Sequence, residues 1–134
     1  MKRVVQIYIP SELGYEKIPI SAVATVAQKM GFRPERIENL KMATGEAVTN
    51  AIEHGNQLNE NAEVYISLTI ETHELVVIVV DQGQKPIPTM PTERKHREDN
   101  RGWGMLLIRD LVDEVTVTAI PECNEVKMVA YLDK

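Results

Sequence analysis

The sequence predicts an α+β domain: a two-layer sandwich of three helices on one face of a mixed, mostly antiparallel five-stranded sheet. Three observations carry this. Five segments read as strands, by alternation or by β-branched runs. Three segments show helical patterning with Pro and Gly at the expected ends. Their order, β-α-α-β-β-α-β-β, gives a layered arrangement in which the helices cover one sheet face.

The first strand is read over residues 3–9, where Arg3, Val5, Ile7 and Ile9 alternate with Val4, Gln6 and Tyr8. It suits an edge position and ends at Pro10. A helix begins near Pro19, runs to Met30 and stops at Gly31, a residue suited to a C-terminal cap. A second helix begins near Pro34 and ends by Gly55, with Ile37, Leu40, Ala43, Ala47, Val48 and Ala51 turned to the core. Asn56 to Asn61 reads as a polar turn. Val64, Ile66, Leu68 and Ile70 alternate with polar neighbours in a half-buried strand. After a tight turn at Thr72-His73, the unbroken run Leu75 to Val80 reads as a central strand ending at Asp81.

Residues 82–101 break the pattern. Pro86, Pro88 and Pro91 exclude regular structure, and a connection this long in a compact domain points to a functional lid or to disorder. Gly102-Trp103-Gly104 opens a third helix through Val112, and strands near 114–120 and 125–132 close the chain.

At 134 residues the chain fits a single domain, 1–134, with 43% hydrophobic and 26% charged residues and a net charge of −5. The acidic balance argues against direct nucleic-acid binding, which needs a basic footprint. Cys123 is the only cysteine, so no intrachain disulfide can form and no thiolate metal site is indicated. The N-terminus lacks the apolar core of a secretory signal, and no apolar run reaches the ~18 residues needed to span a bilayer. The expectation is a soluble cytoplasmic protein without a membrane contact.

Four features bear on chemistry. Glu46 and Asn50 stand four residues apart, hence on one helical face. The Asn50 amide oxygen is a hard neutral donor suited to Mg²⁺, and Glu46 is placed to take a proton from a hydroxyl or water. By itself the pair reads more readily as the polar stripe of an amphipathic helix. Asp81-Gln82-Gly83 follows a buried strand: the carboxylate suits the exocyclic amine of adenine, and Gly83 permits close approach to the base. By itself it is an ordinary turn. Arg101-Gly102-Trp103-Gly104-Met105 opens a helix, where free N–H groups, the helix dipole and Arg101 suit phosphate oxygens. Alone it is a tight loop. The charged, Pro-rich segment at about 85–100 is either a lid over the site or a solvated loop.

The order of these features resembles the GHKL ATPases, which include DNA gyrase, the ninety-kilodalton heat-shock chaperones, sensor histidine kinases and mismatch-repair ATPases. Two runs are similar to the small bacterial anti-sigma-factor serine/threonine kinases of the sporulation and general-stress type. These are Gly45-Glu46-Ala47-Val48-Thr49-Asn50-Ala51-Ile52-Glu53-His54-Gly55, and Arg101-Gly102-Trp103-Gly104-Met105 with the following Ile108 to Val115. The resemblance implies the Bergerat fold and binding of ATP or ADP with Mg²⁺. It implies a homodimer that holds a sigma factor inactive and phosphorylates a small STAS-domain antagonist. It makes Asn50 the metal ligand, Glu46 the base and Asp81 with Gly83 the adenine reader. Arg101, Gly102 and Gly104, with Trp103 and Met105 in the same loop, face the phosphates.

Glu53 and His54 fall at the rim of that site, His54 with a choice between ligand contact and capping or packing. Two positions depart from the family pattern. Lys85 stands where the usual Asp-x-Gly-x-Gly motif has its second glycine, and either stiffens the hinge or approaches a phosphate. Cys123-Asn124 stand where Gly-Thr is common, leaving Asn124 to donate and accept beside the adenine. The Lys85 departure motivates an alternative, a nucleotide-gated partner-binding module without kinase activity.

Overall fold

The computed structural model describes residues 2–56, 59, 61–82, 101–120 and 123–133, with the side chains of 101–103 and 120 left aside. The lid segment, Gly83 and Lys85 therefore lie outside the described residues. The chain runs β1 (Arg3–Pro10), α1 (Lys17–Met30), α2 (Pro34–Asn50), a π turn (Ala51–Gly55), β2 (Glu63–Ile70), β3 (Glu74–Asp81), α3 (Arg101–Leu111), β4 (Glu114–Ile120) and β5 (Cys123–Tyr131).

Local signals explain most boundaries. α1 starts at Lys17, two residues before the expected Pro19, which then occupies the first turn where no N–H is needed. It ends at Gly31, whose φ of 95° is left-handed and whose N–H reaches the Ala27 and Gln28 carbonyls. Pro34 opens α2 with Glu35 in its first turn. The sequence reading took this helix unbroken to Gly55. Instead the α-helix ends at Asn50 and widens into a π turn, closed by the Asn56 N–H on the Ala51 carbonyl at 2.8 Å. Such turns recur at functional sites, and nothing in hydrophobic periodicity announces one.

The sheet order is β1-β2-β3-β5-β4. All four hydrogen-bonded pairs are antiparallel, so the sheet is not mixed at the level of pairing. β3 and β4 do run in the same direction across the α3 crossover, but β5 lies between them. β1 is an edge strand, as its alternation suggested. One face of the sheet contributes Ile9, Val64, Ile66, Leu68, Leu75, Val77, Val79, Val126, Met128 and Ala130 to the core. Val23, Ala27, Leu40, Ala43, Ala47, Val48, Met105 and Ile108 meet them from the helices. This is the two-layer packing that a period-2 and a period-3.6 stripe make together.

Arg36 donates to Asp113 at 2.7 Å, and Asp113 also accepts the Tyr131 N–H at 2.6 Å. Both charged side chains are largely buried. The pair ties the start of α2 to the segment between α3 and β4 and to the end of β5. That holds α3, and with it the glycines of its first turn, against the far end of α2.

Candidate functional site

The site forms where α2, the π turn, the end of β3 and the start of α3 converge. Helical spacing sets Glu46 and Asn50 one above the other. Asn50 is 7% exposed, and its Nδ2 has no hydrogen-bond partner among the described residues. A buried amide left unmatched costs about 1–3 kcal/mol, so it marks a place where something else is expected to bind.

Gly104, on the first turn of α3, faces this pair directly. A Cβ there would stand 2.8 Å from Asn50 Nδ2 and 2.8 Å from Glu46 Oε1. Only glycine lets the helix approach so closely. Gly102 shares the same turn. The free N–H groups of that turn and the helix dipole give this end partial positive charge beside Asn50.

Glu46 is half-buried, and its pKa is raised above the ordinary glutamate value. Desolvation is the larger cause and the negative charge of Glu53 the smaller. A carboxyl pushed upward is a better proton acceptor once ionised. Glu53 is itself exposed on the π turn, and His54 beside it is half-buried.

Asp81 ends β3 at 3% exposure. Its register partner on β5 is Asn124, whose Nδ2 donates to Asp81 Oδ1 at 2.9 Å. Asn124 thus lies inside β5, which begins at Cys123, two residues earlier than its sequence pattern suggested. The other carboxylate oxygen lies on Gly55: a Cβ at Gly55 would overlap Asp81 Oδ2. The π turn therefore ends in a glycine because the carboxylate occupies the space of a side chain.

Asn56 was missed by sequence reasoning, which took it for part of a polar turn. It is 0% exposed. Its Nδ2 donates to Ser11 Oγ at 2.6 Å and to the Glu63 carbonyl at 3.1 Å, and its Oδ1 accepts the Gln82 N–H at 2.7 Å. It pins the backbone just after Asp81. A Gly-Asn pair is a common turn signal, so its burial had no mark in the sequence. Replacing Asn56 with Ala removes one buried and two part-buried hydrogen bonds, and we expect a loss of roughly 2–4 kcal/mol in urea unfolding. A loss below about 1 kcal/mol would show that water satisfies the groups left behind.

The structure thus brings together Glu46, Asn50 and Gly104 at one end and Asp81, Asn124 and Gly55 at the other. Met105, expected beside the phosphates, instead has its side chain fully buried in the core. Arg101, Gly102 and Trp103 lie in the first turn of α3, and the side chains of Arg101 and Trp103 fall outside the described residues. Among the described residues no cluster of three or more His, Cys, Asp or Glu could hold a metal. The donor set at Asn50 fits a hard cation that keeps most ligands as water and phosphate oxygen. No described helix is long and apolar enough to cross a membrane.

Comparison with known proteins fits this geometry. The model of the histidine kinase-like ATPase domain matches residues 9–130. A serine-protein kinase RsbW of Bacillus subtilis is 34% identical over 122 residues, covering 84% of this chain and 76% of that protein. An anti-sigma F factor of the same species is 27% identical over 122 residues, covering 84% and 81%. The solved structure of the RsbU and RsbW domains of a Mycobacterium tuberculosis protein superposes with a TM-score of 0.69 at 17% identity. It spans 97% of this chain and 32% of that one, and the likeness is one of fold.

Proposed function

Because this chain belongs to the histidine kinase-like ATPase family, a nucleotide-binding family, we propose that it is an ATP-binding anti-sigma factor and serine/threonine protein kinase. Its substrate in this reading is a STAS-domain antagonist, within a circuit where nucleotide state decides which partner is held. The relatives named as serine-protein kinases and anti-sigma factors support this reading. The observation that carries it is the orphaned Asn50 Nδ2, a buried donor that a phosphate oxygen would satisfy, pressed with Glu46 against Gly104.

Asn50 is the proposed Mg²⁺ ligand. What the metal supplies there is neutralisation of charge on the phosphates of ATP. Glu46 receives the proton of the acceptor hydroxyl at its carboxylate oxygen. Asp81 accepts from the adenine amine, with Asn124 fixing its rotamer and Gly83 beside the base. Gly102 and Gly104 present backbone N–H groups to the phosphates, with Arg101 as a charged donor. Glu53 and His54 form the rim. Lys85 stiffens the lid hinge or approaches a phosphate, and the fluorescence of Trp103, in the first turn of α3, is expected to respond to nucleotide. The protein acts in the cytoplasm as a homodimer.

Incubation with labelled ATP, Mg²⁺ and STAS-domain proteins tests the proposal. Phosphoserine or phosphothreonine on one of them is expected. Nucleotide binding with no transfer to any of them would favour the partner-binding module without kinase activity. Gly104→Ala probes the site from the other side. Its methyl group must displace Asn50 or Glu46, so we expect nucleotide affinity and transfer rate each to fall about tenfold or more. Unchanged values would separate α3 from the site.

A further inference from the structure

The pairing of β2 with β3 stops short of the strand ends. β1 stays with β2 as far as Pro10↔Glu63, and β3 stays with β5 as far as Asp81↔Asn124. Between β2 and β3 the last pair is Tyr65↔Val80, although β2 begins at Glu63. Continuing that register would set Gln82 opposite Glu63. The side-chain amide of Asn56 lies between them instead. Its Nδ2 donates to the Glu63 carbonyl at 3.1 Å, and its Oδ1 accepts the Gln82 N–H at 2.7 Å. A carboxamide offers the donor and acceptor of a peptide group, so it bridges the two strands as an inserted piece of backbone. We propose that Asn56, oriented by Ser11, is a positioning residue for the nucleotide base: it parts β2 from β3 at this end and so aims Asp81. The proposal rests on the reading of Asp81 as the adenine acceptor and adds what holds that acceptor in place.

Adjacency is the first argument. Gly55 and Asn56 are consecutive, and so are Asp81 and Gln82. Gly55 yields the space that the Asp81 carboxylate occupies, while Asn56 holds the next N–H along the chain. Two neighbouring residues thus fix both the side chain of Asp81 and the backbone that follows it. The end of β3 is drawn to the π turn rather than along β2.

Orientation is the second. The Gln82 N–H can only donate and the Glu63 carbonyl can only accept, so turning the Asn56 amide over would break both bonds. Ser11 takes the remaining N–H, with Nδ2 donating to Ser11 Oγ at 2.6 Å. Ser11 is 1% exposed, and its own N–H is held on the Ala62 carbonyl at 3.1 Å. An amide held on three sides has one rotamer available, and a shift of the wedge moves Asp81 with it. Misplacing a binding group by about 1 Å is enough to lose an order of magnitude or more.

Calorimetric titration of ADP tests this, with each variant held at a temperature where it is folded. The variants are Asn56→Ala and Ser11→Ala, each alone and combined with Asp81→Asn. Val23→Ala, which opens a cavity at a fully buried position of α1, is the destabilised control. Asn56→Ala should raise the Kd for ADP about tenfold and Ser11→Ala about threefold or more, with or without Mg²⁺. Val23→Ala should stay within about twofold, because lost stability alone does not move the base site. In the Asp81→Asn background neither further change should cost more than about twofold, since both act through Asp81. Should Asn56→Ala fail to fold, Ser11→Ala decides alone. Affinity like that of Val23→Ala in either variant, or losses that persist in full without the Asp81 carboxylate, overturns the positioning role and leaves the base reading intact. An Asp81→Asn protein that binds ADP as the wild type does overturns both.

Discussion

Glu46→Gln should reduce phosphotransfer roughly 100- to 10,000-fold, the range for loss of a positioned general base, while ADP binding stays near wild type. The amide keeps the shape of the carboxylate and removes its basicity. The fold should not suffer. Burial raises the Glu46 pKa, so the ionised form is the costly one in the folded protein. A neutral glutamine relieves that cost, and the melting temperature should be unchanged or higher. Loss of activity with loss of stability would point to misfolding instead. Equal transfer by both proteins would remove Glu46 from the chemistry.

The same shift fixes the sign of the pH dependence. Proton acceptance needs the carboxylate, so transfer should fall as pH drops through the raised pKa, at a higher pH than for an ordinary glutamate. Stability runs the other way. A carboxyl whose folded pKa is raised contributes stability that is present at low pH and lost as pH rises through that pKa. Glu53→Gln removes the smaller of the two causes, so the acid limb of the rate profile should move to lower pH without reaching the ordinary value. A limb that does not move would assign the whole shift to burial.

Gly55→Ala should be the most damaging single methyl in the site. Its Cβ would overlap the Asp81 carboxylate, so Asp81 must turn away from Asn124 or the π turn must shift. Either movement removes the charged acceptor proposed for adenine. A hydrogen bond to a charged group contributes about 1.5–3 kcal/mol, so ADP affinity should fall roughly tenfold to 150-fold. Asp81→Asn should lower affinity by a similar factor without disturbing the backbone. If Gly55→Ala binds ADP like the wild type, the carboxylate does not face the base.

Much of this was legible in the chain. The strands, the three helices and the caps at Gly31 and Pro34 followed from periodicity and backbone chemistry, because those signals are local. Glu46, Asn50 and Asp81 were readable as candidates, since their spacing and strand-end position are local too. Their convergence was not. Only the fold sets Gly104 on Asn50, or Gly55 on Asp81, across separations that no short pattern encodes. Asn56 was hidden for a related reason: a buried hub and a solvated turn use the same residue types. The π turn after Asn50 was invisible because widening a helix by one residue leaves its apolar stripe nearly intact. Met105 shows what a motif leaves open: its place beside the glycines says nothing of its side chain, which helical geometry turns into the core.

The central claim is that one nucleotide spans two separate groups of residues, Asp81 at the base and Asn50 at the metal. Calorimetric titration of ADP with and without Mg²⁺ into the wild type, Asp81→Asn and Asn50→Ala tests it most directly. The account predicts that Asp81→Asn weakens ADP binding by the same factor whether or not Mg²⁺ is present. Asn50→Ala should remove most of the gain that Mg²⁺ gives and leave metal-free binding nearly unchanged. If both variants bind ADP as the wild type does, with the same response to Mg²⁺, the nucleotide does not lie where these residues converge.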